Sequence, residues 1–384
     1  MQIAFYSDTY LPAVDGVVTS MLDFKKELES RGHKVYIFAP GTFLAKKKYE
    51  SKDVFIYTGI KFKPYPQYSA ALFPYHSILK LSSLNIDLIH AQTPFAMGFN
   101  GMLAAKLGRY PIVGSFHTLV NDKTLAVYYP KNMRRFYQKY LWKYVKFFYR
   151  HCNTTIAPSN AIANRLKRYH IENIQVVPNG VDLNKFNPKA DPSPAQEAFG
   201  LRRNKKIILY LGRISKEKNL DTFIKAAAYL GKKREDIEFV VGGTGPFLDA
   251  YSKKAKKYGL ANKIKFLGFV SNDLLPSIYA AADVFCMPSK FETQGIVCLE
   301  AMAEGTPVVA ANTPVLNEFV KSGYNGEHFD ASNYLDCARK IEKVLNNSEA
   351  YKKGAVNTAK AFSLKKVTDK LIKVYKNTID RAIY

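Results

Sequence analysis

The stretch IAFYSDTYLPAVDGVVTSMLDFKKELESRGHKVYIFAP (3–40) decides the fold. IAFYS (3–7) is an apolar run of strand length, followed by a Pro/Gly loop, LPAVDG (11–16). VVTSMLDFKKELESRGH (17–33) places Val17, Val18, Met21, Leu22 and Leu28 near one helical face. Gly32 stops that helix, and VYIFAP (35–40) is a second apolar run. Strand, helix, strand in this order is a βαβ unit, the building block of a parallel sheet.

The alternation continues outward. Apolar runs at 54–59, 88–93, 111–117, 154–159 and 174–179 read as further strands, with helical patterns between most of them. Strands buried on both faces are apolar almost throughout, and these are. Composition shifts near 184–206, where NKFNPKADPSPAQ carries three prolines and RRNKK is polar. This stretch reads as a linker. A second series follows, with strands at 207–213, 237–243, 264–269, 284–289, 307–311 and 326–330, then helices near 333–347, 349–362 and 364–381. The expectation is α/β: a domain over 1–195 and another over 196–363, each with a Rossmann-like parallel sheet. In such sheets ligands lie beyond the carboxyl ends of the strands, so informative polar residues should follow strands.

The chain has 384 residues, 47% of them hydrophobic, enough for two cores. The net charge is +25, shared almost evenly between the halves, so the excess is not a tail. It points to an anionic partner (nucleic acid, an anionic membrane surface or phosphorylated small molecules) or to a general use of Lys on surfaces. The four cysteines lack metal or redox spacing, and Cys286 and Cys298 sit in apolar runs. This fits a reducing, cytoplasmic setting. MQIAFYSDTY has no signal-peptide pattern, and no run reaches the length of a membrane span. Any membrane contact is expected to be peripheral, on the inner face of the cell membrane.

Chemistry concentrates in the second half. LGRISKEKN (211–219) sets Arg213 and Lys218 just past a strand, where two cations can neutralise a diphosphate. GGTGP (242–246) also follows a strand, and its glycines, Gly243 among them, admit close backbone approach. It is neither GxGxxG nor a Walker A loop. PSKFETQGIVCLEAMAEGTPVVA (288–310) runs from a strand end through a short loop into a helix. The amides of Gly295, Ile296 and Val297 would face an anion there. Glu292 and Glu300, eight positions apart, can accept hydrogen bonds from sugar hydroxyls.

The segment 292–300 resembles the E-x7-E motif of the retaining family-4 glycosyltransferases, LGRISKEKN their G-R-x-x-x-E-K-N segment, and VVPNGVD (176–182) their P-N-G-V-D segment. The resemblance spans nearly the whole chain. It implies a GT-B fold: two Rossmann-like domains with parallel sheets facing a central cleft, and a C-terminal helix, about 364–384, returning to the first domain. It makes 1–195 the acceptor domain and 196–363 the donor domain. It implies that Arg213 and Lys218 bind the donor diphosphate, that Glu300 takes the ribose hydroxyls, and that Glu292 contacts the transferred sugar. Backbone at Gly295, Ile296 and Val297 would touch sugar and phosphate, and backbone at Val270 would read the nucleobase. In the first half, DGVVTS (15–20) resembles the family's glycine loop, with Gly16 against the donor phosphate and Asp15 a candidate acceptor-side carboxylate. His117, at a strand's carboxyl end, would sit beside the transferred sugar. His90, inside a strand end, reads as core.

No acidic residue occurs from Lys123 to Ile171. The helix expected over 131–150 carries a basic stripe of Arg135, Lys139, Lys143, Lys146 and Arg150. Met133, Phe136, Tyr137, Tyr140, Leu141, Tyr144 and Phe148 form an apolar one, with Trp142 beside the basic stripe. Such a helix docks on anionic lipid, or packs one face in a domain and solvates the other. Lipid-directed members of the family are similar in this patch and around SFHTLVNDKTLAVYYP (115–130).

The expected activity is transfer of a hexose, glucose for preference, from a nucleotide diphosphate sugar, UDP-linked for preference. The acceptor is diacylglycerol or another membrane lipid, or else a soluble sugar or sugar phosphate. Asp-x-Asp is absent, which suits metal-independent chemistry with no cofactor. A nucleic-acid-binding protein is the alternative of another class; no specific nucleic-acid module is present. An epimerase or a pyridoxal phosphorylase would keep the fold.

Overall fold

A computed structural model describes residues 1–13, 15–62, 65–71, 75–117 and 134–383. The chain forms two compact units, Met1–Gly180 with Leu364–Tyr384, and Val181–Ser363.

In the first unit, β1 (Gln2–Tyr6), α1 (Gly16–Ser30) and β2 (Lys34–Gly41) form the expected βαβ. Next come α2 (Phe43–Tyr49), β3 (Val54–Phe62), β4 (Tyr65–Ala71), α3 (His76–Ser82), β5 (Leu88–Ala91), α4 (Ala96–Gly108) and β6 (Ile112–Ser115). Then follow α5 (Arg134–Arg150), β7 (Thr154–Ala157), α6 (Asn160–Lys167) and β8 (Ile174–Val176). The sheet order is β4-β3-β2-β1-β5-β6-β7-β8, parallel except for the antiparallel edge pair β3–β4. The β4 edge strand is the one strand the alternation had not announced. The order reverses at β1, which lies between β2 and β5.

The second unit holds α7 (Ser193–Phe199), β9 (Lys206–Leu211), α8 (Leu220–Lys233), β10 (Ile237–Gly242), α9 (Leu248–Lys257), β11 (Ile264–Gly268) and α10 (Leu275–Ala280). It continues with β12 (Val284–Met287), α11 (Ile296–Ala303), β13 (Val308–Ala311), β14 (Gly326–Phe329), α12 (Tyr334–Leu345) and α13 (Ser348–Ala361). Its six strands run in the order β11-β10-β9-β12-β13-β14, all parallel, and reverse at β9.

The division falls at Gly180/Val181, not at 195/196. The proline-rich stretch is no free linker. Val181, Phe186, Ala195 and Leu201 are buried in the core of the second unit, and Ala195 N donates to Ser277 Oγ at 2.8 Å. Within 184–206, polar composition concealed three well-spaced apolar anchors, Phe186, Ala195 and Leu201.

The last helix, α14 (Leu364–Ile383), belongs to the first unit, as expected. Leu364, Val367, Leu371, Val374 and Tyr375 join the core that holds Ile3, Phe5, Met21 and Ile37. Each such burial contributes about 2 kcal/mol, and five together rival the whole stability of a domain. A chain of residues 181–363 should therefore melt cooperatively by itself. A chain of residues 1–180 should not, and should regain a cooperative melt when 364–384 is supplied. Circular dichroism of the three samples checks this, and a cooperative melt of 1–180 alone would contradict it.

Candidate functional site

In the second unit the reversal of strand order sets β9 beside β12, and the loops that leave their carboxyl ends are in contact. The predicted residues leave from these two ends. Arg213 and Lys218 follow β9; Glu292, Gly295 and α11 follow β12. Lys218 Nζ is 2.6 Å from Glu292 Oε1, a pair more than three-quarters withdrawn from solvent. Arg213 Nη2 lies 3.5 Å from Glu217 Oε1 and keeps 43% of its side chain exposed. Glu217 is buried and accepts from Ser215 Oγ at 2.6 Å. Tyr210 OH donates to Arg213 O at 3.0 Å. Burial pushes the Tyr210 phenol up, and the charges of Glu292 and Glu217 add to this while Arg213 opposes it. One buried ring thus senses both acids and the exposed cation.

Asn219, in the left-handed region at φ +56°, staples the two loops together. Its Nδ2 donates to Pro288 O at 3.0 Å and to Ala331 O at 2.9 Å. Gly295 caps α11 at φ +86°, where a side chain is strained, and a Cβ would meet Leu316 Cδ2 at 3.0 Å. The first amides of α11, Ile296 and Val297, have no acceptor within their helix. Glu300 is buried on α11 and accepts from Tyr279 OH at 2.7 Å. Burial raises its pKa, against the lowering effects of that hydrogen bond and of Lys185. Burial raises the pKa of the Cys298 thiol, with Glu292 and Glu300 adding to the rise and Lys218 opposing it. Within this unit, Lys218 thus meets Glu292 directly, Arg213 meets Glu217, and Glu300 lies on the helix that follows the Glu292 loop.

Two predicted residues have internal explanations. Gly243, at φ +122°, must be glycine because a Cβ would lie 1.9 Å from Gly212 O. The demand comes from the protein's own backbone. Val270 is buried in the core of this unit and packs against Gly242.

In the first unit, Gly16 opens α1, and a Cβ there would meet nothing within 4 Å. Asp15 caps this helix, accepting from Val17 N at 2.8 Å and Val18 N at 2.9 Å. That capping occupies one oxygen of the candidate acceptor-side carboxylate. His117 follows β6 and approaches Gln92 Oε1 through Nε2 at 3.2 Å. Burial lowers its pKa to about 4. His90 is fully buried, as expected, yet sits in a polar network with Gln92, Ser115 and Tyr375. Gln92, Glu217, Asn219, Tyr279 and Tyr375 were missed from sequence. Asn219 and Glu217 at least stand within the quoted LGRISKEKN; nothing local marks the others.

Helix α5 corrects the reading of the basic stripe. Met133, Arg135, Phe136 and Tyr137, and the stretch 118–130, lie outside the described residues and side chains. Lys139, Lys143 and Arg150 are exposed and Lys146 is half-buried. Trp142 is buried, with Phe116 6.5 Å and Tyr169 4.5 Å away between ring centroids, so it is a core residue and not an interfacial anchor. Among the described side chains of α5 the exposed aromatics are Tyr140, expected in the apolar stripe, and Phe147. Tyr144 is half-buried and donates to Pro94 O at 2.5 Å. Among the described residues no three His, Cys, Asp or Glu gather as metal ligands, and no helix is long and apolar enough to cross a membrane.

Residues 14–185 match the family model described as Glycosyltransferase Family 4, and 194–361 that described as Glycosyl transferases group 1. The chain is 31% identical over 348 residues to the alpha-monoglucosyldiacylglycerol synthase of Streptococcus pneumoniae (strain ATCC BAA-255 / R6), covering 88% of this chain and 78% of that protein. It is 32% identical over 352 residues to the synthase of the same name from Acholeplasma laidlawii, covering 87% and 86%. The fold matches the crystal structure of Anabaena Alr3699/HepE in complex with UDP and glucose, with a TM-score of 0.75, 22% identity, and 98% and 100% coverage. That neighbour has the GT-B fold of two Rossmann-like halves.

Two predictions follow the electrostatics. Lys218→Met leaves Glu292 without its cation in a largely buried place, and should cost about 3 kcal/mol of the stability of this unit. The double variant with Glu292→Gln should recover most of that loss in denaturant melts. Glu304, at the end of α11, accepts from Asn187 N at 3.1 Å, while its Oε2 is buried without a partner among the described residues. Burial raises its pKa from 4.5 to about 8, against the opposing effect of the Asn187 amide. The folded state then binds more protons than the unfolded between those values. Stability present at low pH is lost as pH rises through that window. Glu304→Gln should melt like the parent at pH 5 and be more stable by about 1–2 kcal/mol at pH 9.

Proposed function

The chain belongs to the family 4 glycosyltransferases, and on that premise we propose that it transfers glucose from UDP-glucose to diacylglycerol, with retention at the anomeric carbon and without a metal ion. The observation that carries the reading is the pairing of Arg213 and Lys218 with the start of α11 at the switch point of the second sheet. Departure of UDP puts negative charge on its β-phosphate. Preorganised cations and helix amides stabilise such charge where it develops. Lys218 is held by Glu292 at 2.6 Å. An arriving diphosphate competes for that ammonium and frees the carboxylate to meet the sugar. Glu300, oriented by Tyr279, takes the ribose hydroxyls. Val270 backbone meets the base, and Gly243 and Gly295 let backbone lie close to the donor. In the first unit the open space at Gly16 suits a phosphate, and His117 accepts from the transferred sugar.

The choice of glucose and diacylglycerol is supported by the names of the two synthases, and that of UDP by the ligand of the Anabaena structure. The exposed Lys139, Lys143 and Arg150 of α5 suit an anionic headgroup layer, and Tyr140 and Phe147 its interfacial zone. We place the protein on the inner face of the cell membrane, peripherally bound.

The full chain is to be incubated with UDP-glucose, EDTA and vesicles of diacylglycerol with an anionic phospholipid. The expected product is an α-linked glucosyl lipid, formed faster on anionic than on neutral vesicles. Transfer only to soluble sugars, or a requirement for metal, overturns the corresponding part of the reading. Glu292→Ala should lower kcat about 100-fold or more while UDP still binds. Parental turnover in that variant removes Glu292 from the reaction.

A further inference from the structure

We propose that Tyr375 and Gln92, linked through His90, are positioning residues that hold His117 as its Nε2–H tautomer and so present Nδ1 as a hydrogen-bond acceptor. Side chains two apart on a strand share a face. His90 and Gln92 leave the end of β5 in this way, as Ser115 and His117 leave β6. Helix α14 lays Tyr375 against them. The contacts are Tyr375 OH to His90 Nδ1 at 2.6 Å, His90 Nε2 to Ser115 Oγ at 2.7 Å, Gln92 Nε2 to His90 Nδ1 at 3.2 Å, and His117 Nε2 to Gln92 Oε1 at 3.2 Å.

Donors and acceptors must match along this chain, and only one end has a fixed role. Tyr375 is fully buried, and burial pushes its phenol up, so the hydroxyl keeps its hydrogen. Its one hydrogen-bonding partner among the described residues is His90 Nδ1. A buried hydroxyl that fails to donate is costly. Burial, with the neighbouring His117, drives the His90 pKa down to about 3, so this ring is neutral and has one acceptor and one donor. Nδ1 must be the acceptor. Nε2–H then donates to Ser115, whose own hydrogen has room to turn towards the small cavity it lines with Pro158 and Asn179.

An accepting Nδ1 requires the Gln92 amide to face it with NH2. The orientation of an amide is fixed by its partners. Its carbonyl oxygen is thereby turned to His117 and requires a hydrogen on Nε2 there. His117 is neutral as well, its pKa lowered by burial. Its Nδ1 therefore carries the lone pair, and no described residue occupies it. If Gln92 were reversed, both histidines would switch tautomer together and the phenol would lose its acceptor. A ring nitrogen that accepts is what a sugar hydroxyl needs, so the inference rests in this respect on the proposed contact of His117 with the transferred sugar.

The test uses the full chain labelled with 15N-histidine, at pH 7.5. Long-range proton–nitrogen spectra are assigned through His117→Asn and His90→Asn. Both rings are expected with Nε2 protonated and Nδ1 bare. Gln92→Met should release His117 into a mixture of tautomers, while Gln92→Glu, which keeps an acceptor for His117 but offers no NH2 to His90, should restore Nε2–H on His117 and turn His90 to Nδ1–H. Tyr375→Phe should loosen both rings. Thermal melts confirm that each variant is folded. His117 found as Nδ1–H, or unmoved in Gln92→Met, overturns the proposal. With UDP-glucose and diacylglycerol vesicles, Gln92→Met should lower kcat about tenfold with KM for UDP-glucose nearly unchanged, and Gln92→Glu should recover most of it. Altered spectra with unaltered turnover uphold the tautomer lock and overturn only the contact of His117 with the sugar.

Discussion

A parallel sheet covered by helices on both faces has no room for charge along its strands. β1, β2, β5, β9, β12 and β13 obey this along almost all their length, while the buried acids Glu238 in β10 and Glu327 in β14 are each paired with two cations. Exposed polar chemistry is thereby concentrated at the strand ends. Among the ends, the place where strand order reverses is special, because the connections on either side run in opposite directions and leave a gap. Both units have such a place, at β1 and at β9. Gly16 and Gln92 follow the strands at the first, His117 follows the next strand along, and Arg213, Lys218 and Glu292 follow those at the second.

Bringing charges to such a place has a cost that the second unit meets with internal partners. Glu292 is held by Lys218, Glu217 by Ser215 and Arg213, and Glu300 by Tyr279. Each acid keeps a hydrogen-bond donor, which is the condition for burying a carboxylate at all. The cations are treated differently. Lys218 is engaged, whereas Arg213 stays substantially exposed. The cluster thus keeps its buried acids partnered and leaves the Arg213 side chain open to solvent.

The sheets were legible because apolar runs of strand length recur with helices between them, and a two-sided core permits nothing else. The candidate site was legible where a charged side chain follows its strand within a few residues, as Arg213 follows β9 and Glu292 follows β12. Errors arose where partners are distant in sequence. Trp142 stands beside lysines along the helix, yet Phe116 and Tyr169 bury it. Phe186 and Ala195 are spaced among prolines, and only the second core explains them. At Gly243 the atom that excludes a side chain is Gly212 O, a neighbour that only the fold brings near.

The longest-range dependence is that of the first unit on the last helix. Gly180 shows how it is built. A Cβ at this position would lie 2.5 Å from Leu364 Cα, so the glycine of PNGVD admits the backbone that starts α14. On the other side of the boundary, Val181 N donates to Phe362 O at 3.0 Å. The exit of the chain from the first unit and its return are thus each braced by backbone. With the start of α14 fixed, eleven residues of helix carry Tyr375 to a set position, since each residue advances it by about 1.5 Å. The phenol that orients His90 is therefore placed by a glycine nearly two hundred residues before it in the chain. Substitution of Gly180 would act first on the start of α14, and through that helix on the ring that Tyr375 holds.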